Sequence, residues 1–549
     1  MEHPGGLILS DNVFGFSAGE TVAISHQAGI IDSVQRVEPG EVQALTSVGR
    51  ASVPAIRRPG TAVRSRSRKP YTMAAPLSAE VLDCRSLLVL PGLIDAHVHA
   101  IASGMAMLCK DLRDAASLEE VVSAVKAEAA KGGPVVRLGG LDSSRLSPGE
   151  LQRLDRVFLD NLVSERPLLL KSIEGHSGWF NTPGFAMIGA EAVFTELGLD
   201  EDERAAMNLS GRIHGRAYEM LTTPIYDSFS AEERREGMRL VLAEAARQGL
   251  AGIHCLEGYG NRRREDFELI LELDGGDCDL TLYTRDKDPR LAASLAITRF
   301  GGCWCLDGAI GAHSAALGKP YADKPESRGE LYFSDEEIGS WIEAGLSCGM
   351  QVCVHAIGDR ALEQALRVYE GLALQHDLQA SRPRVDHFIL GSPKLAAQAA
   401  ALGITSAMQP AFDARWGGAG GGYAKRLGSE RALRANPVRG MIESGMRVAG
   451  SSDSYITPLD PLGGIRAAMN HHNPLQSVDF DTAVRLFTED AAYLAHQEDN
   501  RGKIARGFQA DFTIVQGDRT MKDAQVAKTI KNGRVVFDAC RGGSPTHPY

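Results

Sequence analysis

Eight short apolar runs recur between Leu93 and Ser454, and most are separated by segments of helical periodicity. They are LIDAHVHA (93–100), GLAGIHCLEG (249–258), DLTLYTR (279–285), RFGGCWCLDGA (299–309), GMQVCVHAIGD (349–359), RPRVDHFIL (382–390), GITSAMQP (403–410) and MRVAGSSDS (446–454). Intervening stretches such as EERREGMRLVLAEAARQ and DRALEQALRVYEGLAL carry apolar residues at helical spacing. Strand and helix alternating eight times over predict an α/β chain folded as a (β/α)8 TIM barrel.

About 150 residues separate the first and second runs, too many for one crossover helix. Residues 115–230 are therefore expected to form a cap inserted after the first barrel strand. Both chain ends look different again. Residues 6–40 alternate short apolar runs with Gly and Asp turns, and ADFTIVQGD and VAKTIKNGRVVFD near the C-terminus read as strands, the second with an Asn532-Gly533 hairpin turn. The expected organisation is a small β-sandwich assembled from residues 1–90 and 491–549, flanking a barrel over 91–490. From Val42 to Ala79 there is no acidic residue, while Arg50, Arg57, Arg58, Arg64, Arg66, Arg68 and Lys69 gather among Pro, Ser and Thr. Residues 42–78 are expected to be a disordered insertion rather than a nucleic-acid patch.

The first barrel strand poses the chemical question. In LVLPGLIDAHVHA (88–100), Asp95, His97 and His99 fall at alternate positions and so share one face. A single inward histidine is most often a hydrogen-bonded core residue. Two at the polar end of an apolar strand call for a shared partner, and a metal ion is the natural one. Barrel enzymes carry their chemistry at the C-terminal strand ends. Here those ends also hold Cys303 and Asp307, His355, His387 and Asp453.

Bulk properties narrow the partners. A formal charge of -11 argues against general nucleic-acid binding. Nine cysteines without a CxxC pair read as reduced thiols, which with the lack of a signal-like or 18-residue apolar segment points to a cytoplasmic protein that does not enter membranes. GLSCG (345–349) matches G-x-S-x-G but follows a helix and precedes a strand, the reverse of a nucleophile elbow, and is read as a turn. The glycine cluster at 416–428 is expected to be a loop over the pocket, with Arg415, Trp416 or Tyr423 able to touch substrate.

PGLIDAHVH, VHAIGDRA, VDHF, SAMQP, GSSD and GKIARGFQADFTIV together resemble the amidohydrolase superfamily. GHSGWFNT (175–182) and LDGAIGAHSAALGKPY (306–321) narrow the resemblance to the amidohydrolase-3 branch, which includes N-substituted formamide deformylases. The resemblance covers nearly the whole chain except roughly residues 42–78. It implies hydrolysis of a C–N bond in a small N-substituted amide, a formamide, carbamate or cyclic amide, by hydroxide held on one or two divalent ions. Zinc is expected, with manganese and iron left open. By motif position His97, His99 and Asp453 would hold one metal, and His355 and His387 a second. Asp453 would carry the proton to the leaving nitrogen, helped at the carbonyl by His176 from the cap, and Asp95 would support the ligands. His176, Trp179, Trp304 and Tyr455 are the expected substrate contacts, and a homodimer is the family-level expectation.

One position departs from the branch. Where a carbamylated lysine usually bridges two metals, four residues before the aspartate of the DG motif, this chain has Cys303. Three readings of it stay open: a bridging ligand, a ligand of one metal only, or a small buried hydrophobe at a site that has lost its bridge. A cysteine is much shorter than carbamyl-lysine, so bridging would demand a displaced strand or a closer metal pair. Cys305, Cys255 and Glu257 are the substitutes. The competing functions are a mononuclear hydrolase or deaminase and a noncatalytic binding descendant. Gly358 counts against a deaminase, because deaminases of the superfamily place a glutamate there.

Overall fold

A computed structural model describes residues 5–17, 19–38 and 80–540. The expected disordered insertion at 42–78 lies outside the described residues. All eight predicted barrel strands form: β1 (Leu93–Val98), β2 (Leu250–Glu257), β3 (Asp279–Thr284), β4 (Arg299–Cys305), β5 (Gln351–Ala356), β6 (Arg384–His387), β7 (Ser406–Met408) and β8 (Val448–Gly450). Six pair in parallel in the order β6-β5-β4-β3-β2-β1, and β7 pairs in parallel with β8. Parallel bridges Arg384↔Thr405 and Val98↔Ser454 join the two sets and close the ring.

Local sequence accounts for the surrounding helices. Ser230 and Glu233 close a capping box at the start of helix Ala231–Arg247, satisfying donors that the first turn leaves free. Helix Asp359–Leu372 turns its apolar stripe, including Leu362, Ala365, Leu366 and Tyr369, onto the barrel.

Between β1 and β2 the chain builds a second sheet from Lys110–Asp111, Val136–Leu141, Leu168–Ser172, Ser177–Phe180 and Arg212–His214, neighbours in that order. Leu138, Leu168 and Leu170 belong to one apolar cluster, whereas Leu169, Phe180 and Ile213 belong to another. Alternation within Leu168–Ser172 thus feeds two cores, one on each face of this sheet.

The chain ends meet in two further sheets. One contains Gly6–Ser10, Val22–Gln27, Ile30–Arg36 and Glu80–Asp83. In the other, Leu88–Pro91 pairs antiparallel with Phe512–Gln516, which continues into Gln525–Lys531 and Arg534–Asp538. Ile8, Val22 and Ile24 of the first share a core with Val89, Phe512 and Ile514 of the second. Asn532 and Gly533 take φ of 50° and 74°, the left-handed pair that a two-residue hairpin turn requires. Among the described residues no helix is long and apolar enough to cross a membrane.

Candidate metal centre

His97 is the deepest of the candidate ligands. Its Nδ1 donates to Asp386 Oδ2 at 2.7 Å, which fixes the tautomer and leaves the Nε2 lone pair facing the barrel mouth. Asp386 is held in turn by Arg384, whose guanidinium also reaches across the barrel to Ala96 O at 2.7 Å. Burial would raise the Asp386 carboxyl, but Arg384 and His97 outweigh it and keep it well below the ordinary value. His99 and His387 are oriented in the same way. His99 Nδ1 donates to Leu256 O (2.9 Å), and His387 Nδ1 donates to Gln409 Oε1 (2.8 Å). Burial lowers the pKa of His97 to about 4 and that of His355 well below its usual range, so these imidazoles are neutral, as metal ligands must be.

The eighth strand brings Asp453 to the same point. Its Oδ1 lies 3.3 Å from His99 Nε2 and 3.5 Å from His97 Nε2. His97 Nε2, His387 Nε2 and Asp453 Oδ1 are buried and have no hydrogen-bond partner within the protein. Buried polar atoms are rarely left so, and three converging lone pairs match what a cation needs. Their ligand atoms group as His97–His99–Asp453, His97–Cys303–His387 and Cys303–Cys305–His355, each set within 4.8 Å of one another. These residues therefore fit a divalent ion. Asp95 stays beneath them, accepting from the backbone amides of His97 (3.2 Å) and Ser452 (3.0 Å).

How Cys303 reaches this cluster is visible in β4. The pairing with β5 shifts register between Phe300 and Trp304, a bulge built on Gly301 (φ 92°) and Gly302 (φ 31°). A Cβ at Gly301 would lie 2.2 Å from Cys353 O, so this approach of backbones requires glycine. Cys303 follows at φ 72°, and His387 and Asp453 also sit at positive φ, 73° and 55°. Such conformations cost about 1–3 kcal/mol each and gather where function demands them. β4 thus departs from regular strand pairing just before Cys303.

Of the substitutes for Cys303, two are engaged elsewhere. Glu257 Oε1 accepts from Ile101 N at 3.0 Å at the start of helix Ala100–Leu108, and Cys255 is packed in the main apolar core. Asp307 accepts three backbone N–H groups, from Ala316, Ile357 and Gly358, and so ties the loops after β4 and β5.

An inner cavity of about 470 Å³ opens on these ligands, walled by His176, Lys171, Glu219, Tyr259 and Tyr455. It shares His176, His355 and Asp453 with an outer pocket of about 770 Å³ lined by Ile310, Ile389, Phe412, Trp416 and Tyr423. His176 stacks edge-on to His355 with centroids 5.4 Å apart, and its Nδ1 has no partner. His176 and Tyr455 are thus placed at the cavity, and Trp416 and Tyr423 line its outer part on short helices, Pro410–Trp416 and Gly422–Leu427. Arg415 lines neither cavity; its guanidinium points to Arg113 O.

Two expected substrate contacts are not at the cavity and are corrected here. Trp179 is 1 % exposed in the cap core beneath the Arg212 guanidinium, 4.8 Å from its ring centroid. Trp304 lies between Cys303 and Cys305, so the strand pleat sends it outward, where it packs against Phe300 and Trp341. Conversely, sequence reasoning missed Lys171, Glu219 and Tyr259. Lys171 Nζ lies 3.7 Å from the Tyr455 ring centroid, and burial lowers its pKa to about 7. Glu219 pairs with Arg285 and so links the cap to the loop after β3. The alternation of LLLKS, with its one charge inside an apolar run, was the available signal for Lys171.

A closed parallel barrel with four histidines, a carboxylate and thiols converging at its C-terminal mouth is an arrangement that a divalent ion can occupy. The chain belongs to the amidohydrolase family, whose model matches residues 80–537, and is accordingly a hydrolase of carbon–nitrogen bonds that works with a divalent metal. It is 28% identical over 517 residues to YtcJ of Bacillus subtilis (strain 168), covering 87% of this chain and 94% of that protein. It is 22% identical over 502 residues to the N-substituted formamide deformylase of Arthrobacter pascens, covering 85% and 91%. Its fold matches the crystal structure of an uncharacterized metal-dependent hydrolase from Pyrococcus horikoshii OT3 with a TM-score of 0.66 at 22% identity, over 97% of this chain and 100% of that one.

Proposed function

We propose that this chain hydrolyses the C–N bond of a small N-substituted amide, a formamide, carbamate or cyclic amide, using zinc held by His97, His99, Asp453, Cys303, His355 and His387. The observation that carries the reading is the convergence of three buried, unpartnered atoms, His97 Nε2, His387 Nε2 and Asp453 Oδ1. A divalent ion in this cage supplies Lewis-acid polarisation and brings the pKa of a bound water towards about 7.

The chain's own groups do the rest. With Oδ1 of Asp453 turned to the ion beside His97 and His99, its second oxygen, Oδ2, would receive the proton from the attacking water and pass it to the departing nitrogen. His176, from the cap, stands where it can donate to the carbonyl oxygen as charge builds there. Ile310, Ile389, Phe412 and Trp416 offer an apolar wall for an N-substituent. The named activity of the Arthrobacter relative supports this substrate class. A deaminase is disfavoured because a side chain at Gly358 would begin 2.0 Å from Ala316 O, leaving no room for a glutamate. Nine free cysteines support a reducing, cytoplasmic setting.

The test is zinc-loaded protein against a panel of small N-substituted formamides, carbamates and cyclic amides, beside Asp453→Asn. Loss of about 10²–10⁴ in kcat with metal content retained is the expected result. Equal turnover by the variant, or none by the wild type on any amide, would sink the proposal.

A further inference from the structure

Cys303, Cys305 and His355 present their ligand atoms within 4.8 Å of one another, and all three line the inner cavity. Register brings them together: Cys305 is the direct Cα partner of His355 across β4 and β5, and the glycine bulge turns Cys303 into the same space. All three are 2 or 3 % exposed. Cys303 packs on one side against Leu256, Tyr283 and Cys353. Cys305 belongs to none of the apolar clusters among the described residues, and its sulfur donates a long hydrogen bond to Cys303 O at 3.6 Å.

We propose that Cys303, Cys305 and His355 form a thiolate-rich half-site for a soft or borderline divalent ion, distinct in chemistry from the His97–His99–Asp453 half. The inference rests on the metal-dependent reading above and deepens it. Cys303 also lies within 4.8 Å of the His97 and His387 ligand atoms, and His97 in turn groups with His99 and Asp453, so the two halves adjoin through Cys303 and His97. Two thiols that lose their protons to bind one divalent ion leave that half neutral, which suits its burial. Sulfur donors favour zinc or cadmium over magnesium or manganese, whereas a nitrogen and carboxylate set discriminates less. The departure from a bridging lysine is then a change of metal preference rather than the decay of a site.

The test is cobalt(II) added to metal-free wild type, Cys303→Ser, Cys305→Ser and, as a control, Cys278→Ser, whose buried sulfur contacts Asp279 O. Wild type is expected to show the intense near-ultraviolet absorption of cobalt–thiolate bonds, Cys305→Ser about half of it, and Cys278→Ser all of it. Cobalt retained by Cys305→Ser at the other half-site would show that the variant is folded. A cadmium-113 spectrum of the wild type gives the same answer without a variant, since its resonance moves strongly downfield with each sulfur ligand. An unchanged band in Cys305→Ser, or a cadmium signal of one sulfur or none, overturns the thiolate pair. Cobalt bound without any thiolate band, in a protein that still cleaves amides, defeats this inference alone; failure to bind cobalt or cadmium at all defeats the proposed function as well.

Discussion

The backbone amide of Asp453 donates to His97 O at 2.9 Å, tying the acid that follows the eighth strand to the histidine strand of the first. One step further on, His99 N donates to Ser454 O at 2.9 Å, so the two strand ends interleave. The carboxylate and both histidines therefore move as one body, which is the preorganisation that charge stabilisation needs.

Gln409 holds His387 in its tautomer and is itself held by Ser451 Oγ at 3.0 Å. Gln409→Ala should weaken metal binding by about 10–100-fold, because partners behind metal-bound histidines contribute on that scale. Competition with a chromophoric chelator measures it; an affinity equal to wild type would mean that His387 is not a ligand.

Gly301→Ala places a Cβ against Cys353 O and forces a side chain into φ 92°. Stability should fall by at least ~1 kcal/mol from the backbone conformation alone. Denaturant unfolding reads the loss, and a variant as stable as wild type would show that β4 can straighten.

Metal removal should lower the thermal midpoint, since an ion that binds only the folded chain at 100 times its Kd adds about 2.7 kcal/mol. Scanning calorimetry before and after chelation, and again after zinc is restored, should show a reversible drop. Superimposable scans would argue that no ion binds the folded chain.

His214, at the end of the cap sheet, has its pKa lowered to about 4 by burial, with Arg212, Lys324 and His313 acting the same way. Between about pH 6.5 and 4 the unfolded chain takes up this proton and the folded chain does not, so stability falls as the solution is acidified. The slope from this group is at most about 1.4 kcal/mol per pH unit. Thermal midpoints across that range should decline less steeply in His214→Gln, and parallel curves would assign the acid loss to other groups.

The barrel was legible because its strands are short apolar runs and long helices such as Asp359–Leu372 carry an apolar stripe. The candidate ligands were legible because they fall at the strand ends. The bulge at Gly301 and the left-handed φ of Cys303, His387 and Asp453 were not, since strand periodicity assumes extended backbone throughout. His387 shows the consequence. It follows Asp386, whose side chain points into the barrel towards His97, so alternation alone would turn His387 outward; the positive φ brings it back. Trp304 is the opposite case, where the pleat already forbade the cavity. Trp179 and Lys171 depended on a cap sheet whose pairing no local pattern announces.

The sheets shared by the two chain ends have a consequence in time. Leu93 N donates to Thr513 Oγ1 across 420 residues of chain. At ordinary synthesis rates those partners leave the ribosome roughly 20–80 s apart. Through that interval Leu88–Pro91 waits with one edge bare of its later neighbour Phe512–Gln516. Leu88–Pro91 must therefore be kept from pairing with the wrong strand until Phe512–Gln516 arrives.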